Sequence, residues 1–283
     1  MKKTPFDTIG FIGAGNMAEA MMAGLIKKGL FAPSAIRISD IRKERPEILS
    51  SQYGVVPVEE NASLFYHSDI VLLSVKPQQI SSVLEEMVQH PEFGVPRRKL
   101  LISIAAGCPI EKIEGFLYDF LGEPVNRSLP IIRVMPNTPA LVGQGISGLC
   151  ANRHATVEDM EAASLIFQAV GQVLVFDESQ LDAVTALSGS GPAYVFYLAE
   201  AMIEAGKRMG LAPQEAVSLA VATISGAATL LESQEVPPEE LRRRVTSPGG
   251  TTEAAIRVFG ERGIKEGIIE GIVSAARRAR ELR

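Results

Sequence analysis

The chain has 283 residues, 46% of them apolar and 22% charged, with a formal net charge of -5. Those proportions belong to globular proteins, and the net acidity gives a polyanionic partner such as nucleic acid no electrostatic footing. Cys108 and Cys150 stand far apart and lack CxxC spacing, which argues against a disulfide framework or a zinc site and fits a reducing cytoplasm.

A chain this long forms one large domain or two ordinary ones and buries roughly three quarters of its unfolded surface. At the N-terminus, Asp7, Asn16 and Glu19 interrupt any secretion-signal core, so the segment is expected to remain in the mature protein. Residues 6–12 form a β-rich run that ends in Gly13-Ala14-Gly15-Asn16-Met17-Ala18, and helical spacing then continues through Leu25 to a stop at Gly29. In this strand, glycine turn and helix, Gly13 makes the tight turn and Gly15 lets the backbone approach a pyrophosphate. Ala18 permits close packing of helix on strand. A glycine fingerprint alone is weak; its place directly after the first strand strengthens it.

The second strand, residues 35–39, ends at Asp40, about 25 residues beyond Gly15 and slightly past the usual spacing of a ribose-binding acid. Arg42, Lys43 and Arg45 follow at once. A carboxylate favours the free 2′-hydroxyl of NAD, whereas a guanidinium grips the 2′-phosphate of NADP, so both signals are present and the balance leans to NADPH with NADH possible. The alternative is that residues 42–45 line the exposed first turn of a helix.

Further strands are expected at residues 55–58, 70–75, 99–104 and 131–135, with helical segments between them, which predicts a parallel, doubly wound sheet. Two strands end in breakers at the edge where ligands bind, Ser74-Val75-Lys76-Pro77 and Ile104-Ala105-Ala106-Gly107. Lys76 has a plain alternative as a solvated side chain. The string Arg133-Val134-Met135-Pro136-Asn137-Thr138-Pro139 reads as a rigid loop, either a pocket wall or a connector. Strands at 146–151 and 172–176 flank a helix at 157–169 and extend the sheet at one edge. The domain boundary falls near residues 177–180, giving a dinucleotide-binding domain over 1–177 and a helical domain over 178–283.

Beyond Asp182 only helical patterns remain. Residues 194–209 and 216–231 are apolar on more than one face, which predicts that two or more chains pack together through this half. Residues 216–231 are too short and too rich in Ser, Thr and Gly for a bilayer span, and a buried helix is expected there. Late in the chain, Thr246-Ser247-Pro248-Gly249-Gly250-Thr251-Thr252 sits between two helices. Its glycines allow close backbone approach, and Thr251 and Thr252 place hydroxyls and N–H groups at a helix start, where a small carboxylate is favoured. The alternative is a capping turn with no ligand.

His67, His90 and His154 are not paired at ligand spacing, so no metal is expected. Ser188-Gly189-Ser190-Gly191-Pro192 has no nearby His and is not a nucleophile elbow. A nicotinamide enzyme without an evident acid or base points to a substrate that is easily reduced once held, such as an imine that already carries its proton.

These motifs together resemble the pyrroline-5-carboxylate reductases. The carrying residues are Asp182-Ala183-Val184-Thr185-Ala186-Leu187-Ser188-Gly189-Ser190-Gly191-Pro192-Ala193-Tyr194 and the 246–252 stretch, backed by residues 10–18, 75–77 and 135–139. The resemblance runs end to end. It implies an N-terminal Rossmann domain, an all-α C-terminal dimerisation domain and active sites built across the dimer, where hydride passes from NAD(P)H to the imine carbon of 1-pyrroline-5-carboxylate to give L-proline. It implies that Ile12, Gly13, Ala14, Gly15, Asn16 and Met17 hold the pyrophosphate, and that Asp40, Arg42 and Asn61 hold the adenosine ribose. Ser74, Val75, Lys76, Pro77, Ile104, Ala105 and Ala106 would hold the nicotinamide half, and Asn137 joins the cofactor set. Ser247, Gly249, Gly250, Thr251 and Thr252 would bind the substrate carboxylate, with Thr252 near the ring nitrogen as proton donor. Two rivals remain. A 3-hydroxyacid dehydrogenase would carry a catalytic lysine where this chain has Val195, and a non-catalytic dinucleotide sensor would not need two threonines after Gly249-Gly250.

Overall fold

The computed structural model describes residues 5–123 and 125–282. The described residues up to Gly189, joined by those from Ala275 onward, form one compact unit, and Ser190–Ser274 forms another.

The first unit is built on a sheet of eight strands. In chain order it runs β1 (Ile9–Ile12), α1 (Asn16–Lys27), β2 (Ile36–Ser39), α2 (Glu44–Tyr53), β3 (Val56–Pro57), α3 (Asn61–His67), β4 (Ile70–Leu73), α4 (Ile80–Gln89), β5 (Leu100–Ser103), α5 (Ile110–Leu121) and β6 (Ile131–Met135). β7 (Gly145–Ala151), α6 (Val157–Phe167), β8 (Gly171–Val175) and the short α7 (Leu181–Val184) follow. The spatial order is β3-β2-β1-β4-β5-β6-β7-β8, with β1 to β6 parallel. This is the doubly wound α/β arrangement that the alternation of strands and helices predicts.

Its central strands are apolar on both faces because both are covered. Ile9, Phe11, Ile70, Leu72, Leu100, Ile102, Ile132 and Val134 pack with Met21, Leu25 and Phe167 on one side. Ile12, Val71, Leu73, Leu101 and Ile131 pack with Phe65, Leu84, Ile113 and Leu117 on the other. Alternate residues of one strand thus feed two separate cores, the pattern of a buried parallel sheet. Burying each such side chain contributes roughly 1.5–3 kcal/mol.

The sheet departs from the expected pattern in places. β7 runs antiparallel to β6, because the link between them, residues 136–144, is too short for a parallel crossover. β3 shrinks to Val56–Pro57, and Pro57 has no N–H for a longer ladder. Cys108 and Cys150 are both free and buried.

At the opposite edge from the strand carboxyl ends, Asp69 ties the chain start to β4. Its carboxylate accepts the Thr8 N–H at 2.9 Å, the Thr8 hydroxyl at 2.8 Å and Arg97 Nε at 2.8 Å. Burial raises the Asp69 pKa, but the bonds from Thr8 and Arg97 outweigh it and hold the carboxyl below its ordinary range.

In the second unit, α8 (Gly191–Arg208), α9 (Pro213–Ser233), α10 (Pro238–Arg244) and α11 (Thr251–Glu261) are followed by the first part of α12 (Ile264–Glu281), whose residues from Ala275 onward count with the first unit. α8 and α9 meet through small residues: a Cβ added at Gly206 would stand 3.0 Å from Ala216 Cβ. Within one chain α9 buries only Ala216 and Ala220, so the buried helix expected over residues 216–231 is largely exposed. Phe196, Tyr197, Leu198, Leu219, Val221, Ile268, Ile269 and Val273 are exposed as well. The apolar outer faces are left for something else to cover.

Because the folded pKa of Asp69 lies below its unfolded value, its stabilisation is present above that unfolded value and is lost as pH falls toward the folded one. Asp69→Asn should cost about 1–3 kcal/mol at neutral pH, and should flatten the loss of stability that begins below about pH 4. Urea melts across acidic pH read both effects.

Candidate active site

The ends of β1, β2 and β4 converge on one groove. The chain leaves β1 through Gly13, whose φ is 100°, and its N–H donates to Ser39 O at 2.8 Å. A Cβ at Gly13 would lie 2.8 Å from the Ser74 backbone, so the first turn is pressed against the end of β4. Ser74 seals the contact by donating its hydroxyl to Gly13 O at 2.7 Å.

Gly15 differs. It caps α1 without a side-chain hydrogen bond, and a Cβ there would meet nothing within 4 Å. The first-turn N–H groups of α1 therefore face an open glycine surface, which suits a diphosphate. The groove has a volume of about 600 Å³, and its walls include Ile12, Gly13, Gly15, Asp40, Arg42, Asn61, Ser74, Val75 and Lys76. These residues fit an extended dinucleotide lying across the carboxyl ends of the strands.

Asp40 stands at the end of β2 and faces two ways. Its Oδ2 accepts the Ala14 N–H at 2.8 Å, and its Oδ1 accepts Arg42 Nε at 2.9 Å. Burial raises its pKa, but Arg42 and the Ala14 N–H outweigh this and hold the carboxyl below its usual range. Arg42 remains largely exposed. Arg45 turns inward: its Nε donates to Ala14 O at 2.9 Å and its guanidinium pairs with Glu19. Of Arg42, Lys43 and Arg45, only Arg42 lines the groove. Asn61 accepts the Ser39 hydroxyl at 2.7 Å, fixing its amide at the groove wall.

Ala14, Asn16, Met17, Pro77, Ile104, Ala105, Ala106 and Asn137 are not on that wall. Ala14 acts through its backbone, and Asn16 opens α1. Pro77 begins the turn that leads into α4. Ile104 follows β5, with its N–H on Leu73 O at 3.1 Å. Asn137 spends its amide within the protein: Oδ1 accepts the Ile146 N–H at 3.0 Å and Nδ2 donates to Ser188 Oγ at 3.2 Å. A Cβ at Gly189 would lie 2.4 Å from Met135 Cε, so the loop after β6 and the turn before α8 are packed together. Beneath that loop, buried Arg133 pairs with Glu178 at 3.0 Å.

Sequence reasoning missed Ile41, Glu59, Gln79, Ser82, Val83 and Glu86 on the groove wall. The last four fall at i, i+3, i+4 and i+7, the spacing of one helical face, but nothing in the sequence says that this face meets the groove.

In the second unit, Ser247-Pro248-Gly249-Gly250 forms a tight turn with the Gly250 N–H on Ser247 O at 3.0 Å. Pro248 presets the turn, and Gly249 has a φ of 71°. α11 begins at once with Thr251 and Thr252. Among the described residues, the Thr251 and Thr252 N–H groups have no acceptor in the chain. A pocket of about 530 Å³ beside the turn is lined by Thr246, Gly249, Gly250, Glu253, Ala254, Ile256 and Arg257.

Comparison with known proteins fits both units. A pyrroline-5-carboxylate reductase from Pseudomonas aeruginosa is 43% identical over 275 residues, covering 97% of this chain and 96% of that protein. The chain belongs to the pyrroline-5-carboxylate reductase family. A relative of that name from Corynebacterium melassecola is 40% identical over 97% of this chain and 98% of its own. The solved reductase from Coxiella burnetii superposes with a TM-score of 0.86 at 37% identity, covering 98% of each chain. The pyrroline carboxylate reductase of Plasmodium falciparum, solved with NADP bound, gives 0.84 at 28% identity and 98% coverage of each chain. Residues 8–107 match the family described as NADP oxidoreductase coenzyme F420-dependent, and residues 178–282 match pyrroline-5-carboxylate reductase dimerisation. This reductase therefore self-associates through its C-terminal helices. α9 is long and apolar enough to cross a membrane by length and composition alone, and it lies within the residues that match the dimerisation family.

The two glycines of the first turn should separate in experiment. Gly13→Ala combines strained backbone with a clash and should cost about 1–3 kcal/mol. Gly15→Ala should cost less than about 1 kcal/mol, yet weaken binding of the reduced dinucleotide about tenfold or more. Thermal melts and titration of nicotinamide fluorescence test the pair.

Proposed function

We propose that the chain reduces 1-pyrroline-5-carboxylate to L-proline, the last step of proline biosynthesis, using NADPH, with NADH as a possible second donor. The observation that carries this is end-to-end likeness to reductases of that name in a chain whose strand ends form an open, glycine-floored groove. When bound, the reduced dinucleotide supplies hydride to the imine carbon of the ring.

Residues 12–17 hold the pyrophosphate, with the uncapped start of α1 supplying donors. Asp40 and Asn61 hold the adenosine ribose, and Arg42 reaches a 2′-phosphate with the guanidinium edge that Asp40 leaves free. Ser74–Pro77 and Ile104–Ala106 shape the nicotinamide end, with Asn137 fixing the neighbouring loop. The substrate carboxylate is bound by residues 247 and 249–252, chiefly by the unpaired N–H groups of Thr251 and Thr252. Fixing the carboxylate at the helix start sets the reacting carbon in place, and most of the rate gain comes from that.

The Thr252 hydroxyl contacts the ring nitrogen. Threonine is a poor acid, but the imine is protonated before hydride arrives, so the Thr252 hydroxyl need only accept a hydrogen bond from the iminium N–H and orient it. A hydroxyacid substrate lacks its base here, since Val195 stands in the first turns of α8. The chain works as a dimer or higher oligomer in the cytoplasm, supported by its two free buried thiols and its dimerisation helices.

Absorbance loss of NADPH and NADH, followed separately with 1-pyrroline-5-carboxylate, tests the reaction, and no turnover with either would overturn it. Thr252→Ala should lower kcat roughly ten- to a hundredfold, while the cofactor dissociation constant stays put; unchanged kcat removes Thr252 from the chemistry. Arg42→Ala should raise KM for NADPH about tenfold or more and change KM for NADH far less. Equal effects on the two would leave Arg42 as a surface residue.

A further inference from the structure

The cradle assigned to the substrate already holds a carboxylate of the protein's own. Glu253 Oε2 accepts the Gly249 N–H at 2.7 Å. The Gly250 N–H is committed to Ser247 O. Glu253 occupies the third position of α11, from which a carboxylate commonly reaches back to cap a helix start. The field there favours any anion. A ring carboxylate held by the Thr251 and Thr252 N–H groups enters the same field, and it gains the adjacent Gly249 N–H only by displacing Glu253.

A destination exists for the displaced side chain. Arg257 lines the same pocket one helical turn on, and its guanidinium stands 3.8 Å from Glu261, a loose pairing. Glu253 and Arg257 are four residues apart with the acid on the N-terminal side, the favourable order for such a pair.

We propose that Glu253 is a specificity-determining residue: its carboxylate is an internal competitor that the substrate carboxylate displaces from the Gly249 N–H and that swings toward Arg257. This rests on residues 247–252 being the substrate cradle. Glu253 lowers apparent affinity for ring carboxylates in proportion to the time it occupies the donor. It also helps product leave, because the proline carboxylate yields to a carboxylate tethered next to the site.

The test uses the full-length assembled protein and pyrrole-2-carboxylate, a flat ring acid that cannot be reduced by the enzyme, titrated by calorimetry. Glu253→Ala should bind the probe roughly five- to tenfold more tightly than the parent. Glu253→Gln, which keeps an acceptor without the charge, should fall between them. KM for 1-pyrroline-5-carboxylate should drop in step, while the melting temperature falls because a helix cap is lost. A purely structural Glu253 would lower stability and affinity together, so the opposite signs are diagnostic. If Glu253→Ala, folded by circular dichroism, binds the probe no tighter than the parent, the inference is overturned. Thr251→Pro separates the underlying assignment, since proline is tolerated at the first helical position and removes only that N–H. It should abolish probe binding. Undiminished binding by Thr251→Pro would overturn the cradle itself, and the role of Glu253 with it.

Discussion

The contact on which the cofactor groove depends is the approach of Gly13 to the backbone of Ser74. No side chain fits between them, and the Ser74 hydroxyl bonds across the seam to the carbonyls of Ile12 and Gly13. The contact draws the exits of β1 and β4 together, and the Gly13 N–H draws in the end of β2. Once those three exits are fixed, the start of α1, Asp40 and residues 74–76 have little freedom left. The groove is thus a consequence of sheet order and one left-handed glycine, and the polar groups on its walls are placed by backbone held through contacts and hydrogen bonds of the protein's own.

Much of this was legible because each signal was local. The Gly13-Ala14-Gly15 turn, the acid at Asp40 and the breakers after β4 and β5 each follow a buried apolar run, and a parallel sheet puts all such exits on one edge. The antiparallel turn of β7 was not legible as a direction, although the short 136–144 link carries the reason. The α4 face was missed for a different cause: Gln79, Ser82, Val83 and Glu86 are ordinary residues, and only knowing which side of α4 meets the groove gives them meaning.

The helical half was legible in character but not in burial. Residues 216–231 read as a helix that must be covered, and in one chain α9 covers little beyond Ala216 and Ala220. Apolar content states that a face will be buried, not by whom. Small residues at Gly206 and Ala216 let α8 and α9 come close while larger apolar side chains stay exposed, so the helices that pack within the chain leave apolar surface bare inside the stretch that matches the dimerisation family.

Asn137 uses both ends of one amide, its oxygen taking the Ile146 N–H and its nitrogen giving to Ser188. Aspartate there could still accept from the Ser188 hydroxyl, but would meet the Ser188 carbonyl, 3.5 Å from Nδ2, with an acceptor in place of a donor, and a leucine of similar size would bond to no partner. The choice of an amide here is therefore explained by a two-sided clasp between strand β7 and the approach to α8, without reference to any molecule in the groove.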